Sequence, residues 1–157
     1  MITSILDKRF QTEDEEIENT YEDKFVSHIE ISFPYSFNEE FFKWFDFREW
    51  DKLKGVFKEM KRRRGNGKAI KIELNFAGEP DITFVIQSDQ SQWFKMEVEK
   101  IDFVVELLPY HLDKDKIPKN VKSVIYNFDQ EAARWKIRTA FADGKKFMNS
   151  ENGWKLI

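Results

Sequence analysis

The chain has 157 residues, a formal net charge of −3, no cysteine, and 35% charged against 41% hydrophobic residues. That length fits one domain with a sizeable core, for which 16 Phe and 5 Trp supply the material. These values exclude overall disorder, disulfides, thiolate metal sites and Cys nucleophiles, and no global field points to nucleic acid or anionic membrane.

The stretch from Met1 to Asp7 has neither a basic region nor a long apolar run, so it does not read as a secretory signal. The longest apolar run, Ile101 to Leu108, is interrupted by Asp102 and Glu106 and is too short to span a bilayer. A soluble, cytoplasmic protein is expected.

Residues 1–24 form an acidic N-terminal segment ahead of a single α+β domain over 25–157. Glu13, Asp14, Glu15, Glu16, Glu18, Glu22 and Asp23 dominate it. Two readings stand for it. One is a frayed, solvated terminus; the other is a short helix over 13–24, capped by Thr12 and Glu15, with Ile17 and Tyr21 one turn apart.

Ile29, Ile31 and Phe33 alternate with His28, Glu30 and Ser32, which predicts a half-buried strand closed by Pro34. A helical region then runs to residue 64, its apolar stripe formed by Trp50, Leu53, Val56, Phe57 and Met60. Asp46 would fall on that stripe if the helix ran unbroken from Asn38. The spacing Asp46-Phe47-Arg48-Glu49 instead matches a capping box, with Phe45 and Trp50 placed as its hydrophobic staple. On that reading the main helix starts at Phe47 after a separate turn over 38–45, and a continuous helix from Asn38 is the alternative. Lys61 to Arg64 fill the last turn and Gly65 follows, as helix ends prefer.

Beyond Gly67 the period changes to two. Ile70, Ile72, Leu74 and Phe76 predict a strand, Gly78 to Asp81 a turn, and Ile82, Phe84 and Ile86 the strand returning. Phe94, Met96 and Val98 read as a further strand, with a phase slip at Lys100-Ile101 before Phe103, Val105 and Leu107. Residues 110–120 read as a polar loop, and Val124, Tyr126 and Phe128 as a strand. The segment 130–143 fits either a helix or a strand. The strand is preferred, because Asp143-Gly144 between alternating segments signals a hairpin. The expected fold is α+β, an antiparallel sheet of about five to seven strands with one long amphipathic helix packed on one face.

Residues 41–50 carry Phe41, Phe42, Trp44, Phe45, Phe47 and Trp50. Rings in this number must meet the core, a partner or a ligand. Phe41, Trp44 and Phe47 fall outside the main stripe and are the candidate partner-binding residues, the partner being another protein or a second copy of the chain. This favours a small, non-catalytic binding or regulatory protein acting through a protein–protein interface, of which an inhibitor or immunity-type protein is one form.

A second reading is a nucleic-acid-binding module using the basic strip 61–71, with Lys61, Arg62, Arg63, Arg64 and Lys68 as its contacts. The acidic average of the chain weighs against it. A third is an enzyme with an unrecognised carboxylate site; Glu73, Glu97, Glu99 and Glu106 sit at alternating positions expected to face solvent. His111 lies among Asp113 and Asp115 in what reads as a solvated loop, and His28 has no nearby partner in sequence. No catalytic residue, cofactor or metal ligand is assigned.

Overall fold

A computed structural model describes residues 12–16, 27–66 and 70–157, the first stretch as backbone alone. Strand β1 (Thr12–Glu16) is followed by β2 (Ser27–Phe33), helices α1 (Glu39–Phe45) and α2 (Phe47–Arg64), then β3 (Ile70–Phe76) and β4 (Asp81–Ile86). Helix α3 (Ser91–Glu99), a 3-10 helix (Asp102–Leu107) and α4 (Leu108–His111) lead into β5 (Val121–Asp129), β6 (Arg134–Ala142), β7 (Lys145–Ser150) and β8 (Gly153–Leu156). The strands lie side by side in chain order in one sheet, seven of them from Ser27 onward with β1 added at the edge.

The sheet is mixed, which corrects the expected antiparallel one. The pairs β2/β3 and β4/β5 are parallel, and the other pairs are antiparallel. Parallel neighbours need a long crossover, and each of these pairs is joined by a helical segment. One long helix is therefore not the whole helical layer. Of the two readings of the N-terminal segment, the short helix over 13–24 does not describe its start, where Thr12–Glu16 is a strand paired antiparallel with β2. Its remainder, 17–24, lies outside the described residues.

Two expected strands are helical. The 94–98 segment belongs to α3, and 103–107 is the 3-10 helix. Phe94, Val98 and Ile101 are buried and recur at helical spacing, so the phase slip at Lys100-Ile101 was the helical period showing through. The strand preferred for 130–143 is present as β6. It turns into β7 through Asp143 at φ 53° and Gly144 at φ 73°, the positive angles that a tight two-residue hairpin turn requires.

One sheet face carries the core. Ile29, Ile31 and Phe33 of β2, Ile72 and Leu74 of β3, Phe84 of β4 and Tyr126 of β5 are all buried there. Phe41, Phe45, Trp50, Leu53, Phe57 and Phe94 are buried from the helical layer. On α2 the buried positions are Trp50, Leu53, Lys54, Phe57 and Lys61, while Val56 and Met60 are only half-buried. Two lysines thus occupy core-facing positions.

The two crossovers lock together through polar contacts. Asp102 Oδ1 accepts from Trp50 Nε1 at 3.1 Å and from Lys54 Nζ at 3.2 Å. Asp51 and Glu99 also lie beside Lys54, at 3.4 and 3.5 Å. Burial alone would lower the Lys54 ammonium, but Asp102, Glu99 and Asp51 more than offset it and raise it above its usual value. Lys58 pairs with Glu99. Among the described residues no helix is long and apolar enough to cross a membrane.

Candidate functional site

Asn38 starts α1 by accepting the Phe41 N–H on Oδ1 at 3.0 Å. The helix stops at Asp46, whose backbone sits at φ 74° and ψ 129°, a region L-residues seldom adopt. Asp46 serves both helices. Its N–H donates to the Phe42 carbonyl at 3.0 Å, closing α1. Its Oδ1 accepts the Arg48 N–H at 2.9 Å and opens α2. The cap is therefore one-sided: the N–H that Glu49 would have reached is already held by Phe42. The staple rings Phe45 and Trp50 are both fully buried, with centroids 6.4 Å apart.

This break sorts the rings. Phe41 is fully buried and packs edge-on against Phe33 and Phe76, each at 5.0 Å. Trp44 is half-buried and lies against Tyr35 at 4.2 Å, with Tyr35 41% exposed. Phe47 is 56% exposed and stacks on the buried Phe42 at 4.9 Å with rings 6° from parallel. The result is a corner where Phe47 and the Tyr35–Trp44 pair are held on a buried aromatic base. Of the three rings singled out in the sequence, Phe41 is core and Trp44 and Phe47 reach the surface.

The basic run is dispersed by the helix that carries it. Lys61 is 1% exposed, donates to the Asp89 carbonyl at 3.1 Å and lies over the Phe94 ring at 5.7 Å. Burial lowers its ammonium, and the carboxylates of Asp89 and Glu97 partly restore it. Arg62 and Arg63 both bind Glu59, at 2.6 and 3.0 Å, and hold its carboxyl down at about 2. That acid lies one turn upstream, at helical spacing, and is invisible when only 61–71 is read. Arg64 is exposed, and Lys68 lies outside the described residues.

Glu97 overturns its expected solvent-facing position. It is 4% exposed, and its Oε1 accepts the N–H groups of Gln87 and Ser88 at 3.0 and 3.2 Å. Burial pushes its carboxyl up to about 7, against the opposing effects of those two N–H groups and of Lys61. Its own backbone carbonyl accepts from Trp135 Nε1 at 3.0 Å. A proton acceptor near neutrality is present here, but its oxygen is engaged in fixing the β4–α3 loop. On the outer sheet face His28 Nε2 lies 3.2 Å from Glu73 Oε2. Among the described residues no three His, Asp or Glu side chains gather as they would around a metal ion.

No protein-family model, no curated protein and no solved structure matches this chain.

Proposed function

We propose that this is a small, non-catalytic binding protein that works through a protein–protein interface centred on Trp44 and Phe47. The observation that carries the reading is Phe47, exposed over more than half its surface yet stacked on the buried Phe42. A ring fixed in this way loses little conformational freedom when a partner covers it, and such rings dominate interface energetics. The strained Asp46 backbone that sets the corner fits the same reading, since strain persists where the surroundings hold it and clusters at functional positions.

The partner is a different protein offering an apolar pocket with a basic rim. Between Glu39 and Lys52 the acids Glu39, Glu40, Asp46, Glu49 and Asp51 outnumber Lys43, Arg48 and Lys52, so a second copy would meet like charge. An inhibitor or immunity-type role is one form of such a protein. The absence of cysteine fits a reducing, cytoplasmic setting.

The test places a photoreactive phenylalanine analogue at position 47 in cells that make the protein. The expected result is one discrete adduct with a second protein, and the purified pair should lose affinity on Phe47→Ser. Adducts with only another copy of the chain, or association indifferent to Phe47, would overturn the proposal.

A further inference from the structure

The second crossover and the C-terminal hairpins enclose a cleft of about 490 Å³, on a different part of the molecule from the aromatic corner. Tyr110 and His111 come from α4, Lys116 from the loop that follows, Arg134 and Lys136 from β6, and Trp154 from β8. None of its lining residues is a carboxylate, although the chain as a whole is acidic. The neighbouring cleft over the end of β5 and β6 is lined by Asp129, Glu131 and Glu151, and another contains Glu79 and Asp115. Lys136 is paired with Asp129 at 2.8 Å, whereas neither Lys116 nor Arg134 has a carboxylate within 4.0 Å among the described residues.

The walls are fixed in place. Trp154 Nε1 donates to the Lys116 carbonyl at 2.6 Å, tying the loop to β8. His111 Nδ1 is 2.9 Å from the hydroxyl of the fully buried Tyr126. Burial raises the Tyr126 phenol well above its usual value, so the hydroxyl keeps its proton. The neutral hydroxyl meets either imidazole tautomer, donating to a bare Nδ1 or accepting from Nδ1–H. Burial, then the positive charges of Arg134 and Lys116, lower His111 below its usual value and keep it neutral. The apolar remainder of the wall is Leu107, Ile117 and Ile137.

We infer that this cleft binds a small organic anion, an oxyanion group held by Lys116 and Arg134 on a flat or apolar body lying between Tyr110 and Trp154. The volume lies within the range of small-molecule sites, and Lys116 and Arg134, the two lining cations that no carboxylate approaches within 4.0 Å among the described residues, stabilise an anion that the rest of this acidic surface repels. Tyr110, 65% exposed, and the half-buried Trp154 offer ring faces to a planar ligand. The bound oxyanion adds negative charge beside an imidazole now surrounded by Lys116, Arg134, Lys136, Tyr110 and Tyr126. Binding therefore raises His111 toward its ordinary range.

The test titrates the full chain with phenyl phosphate, benzoate, inorganic phosphate and an acidic peptide, following the His111 ring and the Trp154 indole N–H by NMR. Phenyl phosphate or benzoate should shift both signals and raise the midpoint of the His111 titration. Preference for one of the two identifies the oxyanion as phosphate or carboxylate. Arg134→Gln and Lys116→Gln, both at exposed positions, should each weaken binding about tenfold, the effect of one lost charge-assisted hydrogen bond, with unfolding midpoints unchanged. Tighter binding of the acidic peptide than of either aromatic anion would make this a peptide site and overturn the inference. So would a response to inorganic phosphate alone, or no shift with any probe at concentrations on the order of 10 mM.

Discussion

Above pH 7 the Glu97 carboxylate is ionised at a site only 4% exposed, and removing that charge is expected to stabilise the protein. The carboxyl titrates at about 7 in the folded chain and at 4.5 when freely solvated. A carboxyl raised on folding binds more protons in the folded state than in the unfolded one between those two values. Stability therefore falls as pH rises through that window, and the full penalty is present above it. The penalty comes to about 3 kcal/mol, most of which develops between pH 5 and 8. Glu97→Gln keeps an oxygen for the Gln87 and Ser88 N–H groups and removes the titration. In urea unfolding followed by tryptophan fluorescence, the variant should be close to wild type at pH 5 and more stable by about 2–3 kcal/mol at pH 8. Other titrating groups, including the depressed His111, are common to both proteins and cancel in the difference. Lys61→Met removes a charge that holds Glu97 down, so it should push the Glu97 midpoint higher still. A pH-independent difference, or a wild type that gains on the variant at high pH, would refute the reasoning. Either result would mean that attraction from Lys61 outweighs burial.

Asp46→Ala should cost about 1 kcal/mol, read as a lower urea midpoint with an unchanged slope. Asp46→Gly should cost less, because glycine adopts φ 74° freely and offsets part of the lost cap. Asp102→Ala leaves the buried Lys54 ammonium and the Trp50 indole N–H without the oxygen they share, and should cost about 3 kcal/mol by the same assay.

Patterns of period two were legible wherever one sheet face is buried and the other wet. The β3–β4 hairpin and β6 with its Asp143-Gly144 turn follow from such alternation. The break at Asp46 was also readable, because cap, staple and stripe each pointed to Phe47 as the start of α2. The 94–107 stretch was not, since over so few residues Phe94, Met96 and Val98 satisfy a strand template while Phe94, Val98 and Ile101 satisfy a helical one. Parallel pairing left no mark in the alternation itself. Its trace was the long helical insert between Phe33 and Ile70, which a tight hairpin would not contain.

The candidate sites divide along the same line. Trp44 and Phe47 stood out because they depart from a helical stripe, which is a local property. Lys61 lies on the buried line through Trp50, Leu53 and Phe57, but its charge made it read as surface. The cleft proposed to take an anion draws on α4, a loop, β6 and β8, and no spacing along the chain brings those segments together. Glu97 was misplaced for the opposite reason: read on a strand it faces solvent, and on a helix it turns inward beside Val98.

The central claim is that Phe47 anchors a protein partner. Its most direct measurement is the Kd of the protein cross-linked at position 47, titrated separately against wild-type chain and Phe47→Ser. An exposed ring contributes little to the core, so the two chains should unfold at the same urea concentration. The variant should nevertheless bind at least about thirtyfold more weakly, the loss of roughly 2 kcal/mol that marks a central interface ring. Equal affinity for the two chains, or a variant that loses its fold together with its binding, would contradict the account and return Phe47 to the core.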